Sequence, residues 1–307
     1  MKVLKLVNDY YKSYDFRNIR DETKKQYEYF INVMLNTEVD GQALSTLNIN
    51  DLTTRMAKVA YDGWCEKGIH MANHIMSASS IVFNHGLRME LCTINPFSNV
   101  RRRAAERRKT VWSREDVRKF LDTAYGDFST RNIGLIAHMA YEWCQRLGDM
   151  RLLTWDNIDF DTKTMRLEQS KRKADVHLPI SDDLCDMLSQ QHDDFGFQQY
   201  IAPRPNPICG EYRPYSLQKL PLFARRIMDD AGLPKELRLA DLRRTGTTEM
   251  VEAGVGMAQI MSVTGHSNPA SVKPYMKNTL KSANFALTER KIHGKSIPSA
   301  AKEGDIT

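Results

Sequence analysis

No apolar stretch in this chain is long enough to span a bilayer, because every hydrophobic run is short and broken by charge. Cysteine is scarce. The five thiols (Cys65, Cys92, Cys144, Cys185 and Cys209) are odd in number, scattered and without a CxxC pair. They offer neither a disulfide framework nor a structural zinc site and read as small buried hydrophobes. Internal repeats and low-complexity tracts are absent. The opening MKVLKLVNDYYKSYDF turns polar and aromatic within a few positions and lacks the apolar core of a secretion signal, so a cytoplasmic protein is the default expectation. Charge of one sign is also modest in excess: 44 basic residues stand against 38 acidic, a net charge of +6.

What is present is an ordinary globular composition, 41% hydrophobic and 27% charged, over 307 residues, a length suited to two domains. Basic residues are unevenly placed. Arg101, Arg102, Arg103, Arg107, Arg108 and Lys109 crowd into nine positions relieved only by Glu106. Such a block is a candidate phosphate-binding footprint, although a charge run alone is more often a solvated linker.

Residues 1–95 read as helical, with apolar positions at helical spacing over Glu22–Leu35, Asp51–Trp64 and Met71–Leu87 and no strand-like alternation. Asn95-Pro96 is expected to end the last of these helices, and the basic block makes 96–111 a linker. The second domain, 112–285, opens on a capping pattern, Ser113-Arg-Glu-Asp116, and continues in a helix at about 131–145. The period then changes from 3.6 to 2, predicting three short strands at Asp156–Phe160, Thr164–Glu168 and Asp175–Pro179. Helices resume near Ser181, over Ser216–Ala231 and at about 240–253, 256–263 and 269–277. Residues 192–215, with four prolines, read as a long loop. The fold class is therefore mainly α with a small three-stranded antiparallel sheet. A C-terminal tail, 286–307, begins within a short apolar helical stretch over Leu280–Ile292 and turns polar from Gly294.

Five chemistry-bearing residues occur in one order along the second domain. Arg146 lies in Cys144-Gln-Arg-Leu-Gly-Asp-Met150, and Lys171 at a predicted hairpin turn in Leu167-Glu-Gln-Ser-Lys171. Arg243 lies in Ala240-Asp-Leu-Arg-Arg-Thr245 and His266 in Val263-Thr-Gly-His266, with Tyr275 nine residues further on. Breaking a phosphodiester without metal or water needs a nucleophile, cations for the phosphate oxygens and an acid for the leaving oxygen. Arginine suits the second task because its planar fork binds two oxygens and keeps its proton. Taken singly, each residue has an ordinary reading. Arg146 could be a helix-end cation, Lys171 a solvated turn residue, His266 a packed turn residue and Tyr275 a half-buried aromatic; Arg244, beside Arg243, reads as structural or surface. Five such motifs in order make coincidence improbable.

In this pattern the chain resembles the tyrosine recombinases, the phage-integrase family. That family carries an arginine in a G-x-R-x-x-E-like turn, a lysine on a β-hairpin, an H-x-L-R-R-T-like helix, an L-G-H motif and a tyrosine nine residues beyond the histidine. The motifs cover about 112–285, and the helical front half matches the family's core-binding, DNA-binding domain by architecture only. The resemblance implies that Arg146 and Arg243 clamp the scissile phosphate and that Lys171 protonates the leaving 5′-oxygen. It implies that His266 bonds a non-bridging oxygen and that Tyr275 attacks phosphorus to form a 3′-phosphotyrosyl link, needing neither metal nor other cofactor; Asp149 would orient Arg146. The implied partners are double-stranded DNA at attachment or crossover sites and three further copies of the chain, forming a homotetramer on DNA, with a directionality factor as a further candidate and no membrane. The tail could be exchanged between protomers. The basic block, Arg101, Arg102, Arg103, Arg107, Arg108 and Lys109, would touch phosphates.

One position departs from the pattern. Ala240 stands where the family commonly has histidine or another base, which leaves open what accepts the nucleophile's proton, with Arg238, Lys171 or a water as candidates. An integrase of a phage or mobile element is the leading expectation, a dimer-resolving recombinase of the same chemistry the second, and a DNA-binding relative that no longer recombines the third. A metal-dependent nuclease fits poorly, because no carboxylate cluster accompanies the basic motifs. The helical segment begins almost at Met1, so no separate arm-binding module is expected ahead of it.

Overall fold

The computed structural model of the chain describes residues 1–106, 108–171, 173–275 and 280–294. Arg107 and the polar end of the tail, 295–307, lie outside the described residues. The protein is mainly helical with a small three-stranded antiparallel sheet. It divides into two compact units, Met1–Arg108 and Lys109–Thr307. Among the described residues no helix is long and apolar enough to cross a membrane.

The first unit is a helical bundle of α1 (Val3–Lys12), α2 (Tyr14–Arg17), α3 (Asp21–Leu35), α4 (Thr54–Lys67) and α5 (Ile69–Arg88). Their apolar faces close on one core that includes Leu6, Tyr10, Ile31, Met34, Tyr61, Ile75 and Phe83. Two expectations are corrected here. A short hairpin, β1 (Glu38–Val39) paired antiparallel with β2 (Gln42–Ala43), interrupts the helices. It turns on Asp40 (φ 53°) and Gly41 (φ 76°), the two left-handed residues that a tight hairpin turn requires. The last helix ends at Arg88, well before Asn95-Pro96, with Glu90 already at φ 55°. The chain beyond stays on this unit. Phe97 and Val100 join its core, the Asn95 side chain ties back to Ser80 and Asn84, and Asn73 Nδ2 donates to the Arg103 carbonyl at 3.0 Å.

The second unit begins with α6 (Arg114–Tyr125), where Ser113 and Asp116 form the expected reciprocal cap. Next come α7 (Phe128–Glu142) and the one-turn α8 (Leu147–Met150). The sheet is β3 (Ile158–Asp159), β4 (Thr164–Glu168) and β5 (Asp175–Pro179), in that order and antiparallel throughout, with Arg166 opposite His177. The first strand is shorter than its alternation predicts, because Trp155–Asn157 closes as a 3-10 turn capped by Thr154 and Asn157. Then follow α9 (Asp182–Phe195), α10 (Leu220–Asp230), α11 (Leu242–Glu252), α12 (Met257–Thr264) and α13 (Leu280–His293). The helix expected over 269–277 is instead two 3-10 turns, Pro269–Ser271 and Lys273–Tyr275. Pro274 lacks the N–H that a continuous α-helix would use to bond the Ala270 carbonyl.

Of the cysteines, Cys92, Cys144 and Cys185 are buried and Cys65 is half-buried. Cys209 corrects the expectation: it is exposed, on a turn with φ 52°.

Helix α11, which carries Arg243, is held close to α7. Thr245 Oγ1 accepts from the Trp112 backbone N–H, Tyr141 Oη donates to Glu249, and Gly246 lets the two backbones approach. A Cβ on Gly246 would lie 2.6 Å from the Tyr141 carbonyl oxygen and 2.7 Å from Cys144 Sγ. In an uncrowded helix, glycine to alanine stabilises by up to about 1 kcal/mol. Here Gly246→Ala is expected to destabilise the protein by roughly 1–3 kcal/mol through overpacking, read as a lower urea midpoint; a raised midpoint would show that α11 is not packed this tightly.

Candidate active site

The first arginine is presented by a sharp break in the chain. α7 ends at Glu142, and Cys144 takes φ 50°, a left-handed conformation that costs a non-glycine residue about 1 kcal/mol or more. The reversal turns Gln145 inward, fully buried, and leaves Arg146 at the head of α8 with a quarter of its side chain exposed. Asp149, one turn on and itself buried, faces Arg146 Nη1 across 3.7 Å. Its other oxygen accepts the Ser170 backbone N–H at 3.1 Å. Asp149 therefore links the arginine to the β4–β5 turn.

The second arginine comes from the first turn of α11. Arg243 Nη2 donates to the Thr264 carbonyl at 2.8 Å and lies 3.2 Å from His266 Nε2. Its Nη1 is buried, with no hydrogen-bond partner among the described residues. Burial, and next the neighbouring Arg146 guanidinium, hold its pKa down at about 10, which leaves it charged at neutral pH. Arg146 and Arg243 line one cleft of about 290 Å³ together with Gln145, Ala240 and the apolar Leu147, Leu217, Leu220, Pro221 and Leu239.

His266, which adjoins Arg243, is mostly buried. Thr264 Oγ1 donates its own proton to the Ile260 carbonyl, so in its 2.7 Å bond with His266 Nδ1 it must accept. That assigns the proton to Nδ1 and turns Nε2 toward Arg243. The loop between α12 and His266 is made possible by Gly265 at φ 67°. Tyr275 closes the group. Its ring centroid is 6.4 Å from that of His266, and the Arg244 guanidinium lies over its ring at 5.6 Å. Val272, fully buried, anchors the turn, and its carbonyl accepts the Tyr275 N–H.

Thus Arg146, Asp149, Arg243, His266 and Tyr275 are brought together from sequence positions far apart. Lys171 is not in contact with them. It is exposed on the β4–β5 turn, two residues beyond Gln169, with no described polar contact to either arginine. Of the basic block, Arg101 and Lys109 are exposed, Arg102 donates to Ser77 Oγ, Arg103 pairs with Asp62, and Arg108 is half-buried. All but Lys109 belong to the first unit. Three residues of the site are absent from the sequence reading, Gln145, Gln169 and Thr264, which tie it together; Arg244, read there as structural or surface, lies over the Tyr275 ring. Among the described residues no three His, Cys, Asp or Glu side chains gather where a metal could bind.

The fold and the sequence are both similar to those of known proteins. The curated tyrosine recombinase of Pseudothermotoga lettingae is 20% identical over 274 residues, covering 85% of this chain and 88% of its own. Among solved structures, a lambda integrase dimer bound to a COC′ core site superimposes with a TM-score of 0.76 at 18% identity, over 91% of this chain and 97% of that one. The Tn1549 transposon integrase in complex with a circular intermediate DNA gives 0.73 at 17% identity, over 94% and 99%. At such identities the structures establish a shared fold. The profile of the phage integrase family matches residues 111–281, the stretch that carries all five sequence motifs. The chain belongs to the phage integrase family of tyrosine recombinases.

Proposed function

We propose that this protein is a site-specific integrase that cuts and rejoins double-stranded DNA for a phage or other mobile element, with Tyr275 as its nucleophile. The observation that carries this reading is the gathering of Arg146, Arg243, His266 and Tyr275: both arginines line one cleft, His266 and Tyr275 adjoin Arg243, and among the described residues no hydrogen-bond partner meets the buried Arg243 Nη1. Such a donor costs about 1–3 kcal/mol unless an anion reaches it, and a phosphodiester supplies oxygens of the right charge and spacing.

In this reaction Tyr275 Oη bonds to phosphorus as the bond to the 5′-oxygen breaks. Arg146 and Arg243 hold the non-bridging oxygens, His266 Nε2, once protonated, donates to one of them, and Lys171 Nζ gives its proton to the leaving oxygen. The tyrosine's proton leaves to a base or water, a task for which Ala240 offers no side chain. The 3′-phosphotyrosyl link conserves the bond energy, so a 5′-hydroxyl can reverse the step without ATP. Lys171 is exposed on a hairpin turn, which suits a group that must reach DNA before it acts.

Further parts of the reading concern assembly. The lambda and Tn1549 integrases are recorded on DNA, lambda integrase also as a tetramer on a Holliday junction, and four copies of this chain would likewise serve two duplexes. The first unit and the basic stretch Arg101–Lys109 would contact phosphates in the cytoplasm, where DNA is accessible. The tail beyond Tyr275, with Leu287 and Ile292 exposed on α13, would dock on a neighbouring protomer.

Tyr275→Phe removes one hydroxyl from a half-buried ring and should melt as the wild type does. It should form no covalent adduct on nicked duplexes drawn from the DNA flanking its gene; adducts persisting in that variant would assign the nucleophile elsewhere. Lys171→Ala should slow cleavage of ordinary DNA by at least about a hundredfold. A substrate with sulfur at the bridging 5′ position, a better leaving group, should be cleaved nearly as fast as by wild type, and equal defects on both substrates would remove Lys171 from the acid role. Neutralising Arg101, Arg102 and Arg103 together should flatten the dependence of log affinity on log salt by roughly 0.9 for each phosphate no longer neutralised. An unchanged slope would leave those arginines solvated or paired within their own unit.

A further inference from the structure

We propose that Gln169 is a positioning residue that sets the geometry of the phosphate clamp, an inference resting on the reading of Arg146 and Arg243 as that clamp. Gln169 follows β4 and is fully buried. Its Oε1 accepts from Arg146 Nη1 at 2.9 Å. Its Nε2 donates to Gln145 Oε1 at 2.6 Å and to the Thr264 carbonyl at 2.9 Å. The neighbours decide the orientation of the amide: two oxygens on one side require the N–H donors, and a guanidinium on the other requires the oxygen. Gln145 is equally constrained, with Nε2 donating to the carbonyls of Trp143 at 2.9 Å and Val263 at 2.7 Å.

The Thr264 carbonyl is the junction. It accepts from Gln169 Nε2 and, at 2.8 Å, from Arg243 Nη2. Through this one oxygen the amide that holds Arg146 is tied to the group that holds Arg243, and Thr264 also holds His266. The structure makes room for the amide, since a Cβ on Gly265 would lie 2.5 Å from Gln169 Nε2. An amide is suited to this place because it accepts from Arg146 without neutralising it, which leaves the arginine's charge for the phosphate. A carboxylate there would cancel that charge and lose both donors.

The test uses the full chain labelled with 15N in its arginine and glutamine side chains, titrated with inorganic phosphate. In the wild type the guanidinium signals of Arg146 and Arg243 and the side-chain amide signals of Gln169 should move along one binding curve. Gln169→Met keeps length and volume but no hydrogen bond. It should weaken phosphate binding about tenfold and uncouple the Arg146 signal from that of Arg243. Gln169→Glu should weaken binding further, since it keeps the acceptor but adds the competing charge. Folded Gln169→Met that binds phosphate with wild-type affinity and a common response would overturn the proposal, reducing Gln169 to a packing residue. Should that variant not fold, the wild type still decides, because Gln169 amide signals that stay fixed while both arginines respond would also overturn it. Neither arginine responding in the wild type would sink the clamp reading itself. The phosphotyrosyl assay on Tyr275 judges the wider function independently.

Discussion

Two arginines held in one half-buried cleft repel each other, and much of the catalytic unit is arranged to keep them there. Burial, and then the neighbouring Arg146, lower the pKa of Arg243 to about 10. A lone pair of guanidiniums in such a place would swing apart into solvent. Here each is held by a different kind of acceptor. Arg146 has the neutral Gln169 oxygen at 2.9 Å and the Asp149 carboxylate at 3.7 Å; Arg243 has the Thr264 carbonyl. A single carboxylate, buried among two cations, offsets part of the repulsion without neutralising the cleft. The remaining positive charge is what an anion would meet.

Keeping these groups in place requires backbone conformations that ordinary residues avoid. Gly265 supplies φ 67° between α12 and His266 and leaves space for the Gln169 amide. Gly246 lets α11 approach the end of α7. Cys144 adopts φ 50° without being glycine; its thiol is buried, which pushes its pKa up to about 11 and makes it inert packing rather than a nucleophile. The conformational cost at Cys144 is met by the interactions it enables, the burial of Gln145 and the outward turn of Arg146.

The helices and the sheet were legible in the sequence where apolar periodicity was long, as in α3, α5 and β4–β5. Legibility failed where local chemistry outweighed periodicity. Pro274 broke a helix-like pattern into 3-10 turns, and Asp40-Gly41 formed a hairpin from strands too short to show alternation. Arg146, Asp149, Arg243, His266 and Tyr275 stood out through their motifs, and the structure brings them together. The glutamines did not stand out. Gln169 and Gln145 are 24 residues apart and Gln169 and Thr264 are 95 apart, and an amide carries no local mark that distinguishes a buried junction from a surface side chain. Only the fold reveals that all of its hydrogen-bonding groups are used.

The site thus has two mechanical parts. Arg146, Arg243 and His266 are cross-linked through buried amides, the Thr264 carbonyl and the Thr264 hydroxyl, so an anion arriving there would meet groups whose positions are already set. Lys171 and Tyr275, the groups that would exchange a proton or a covalent bond, stand at the margin instead. Lys171 is exposed on a turn whose near end is pinned by Gln169 and Asp149. Tyr275 ends a short turn anchored by the buried Val272, its ring flanked by His266 and Arg244. A strand-transfer enzyme must form and then reverse the same bond, which favours fixed charge around the phosphorus and adjustable groups on either side of it. That division follows from where each residue lies: Arg146, Arg243 and His266 on helix ends and a buried loop, Lys171 and Tyr275 on two turns at the margin.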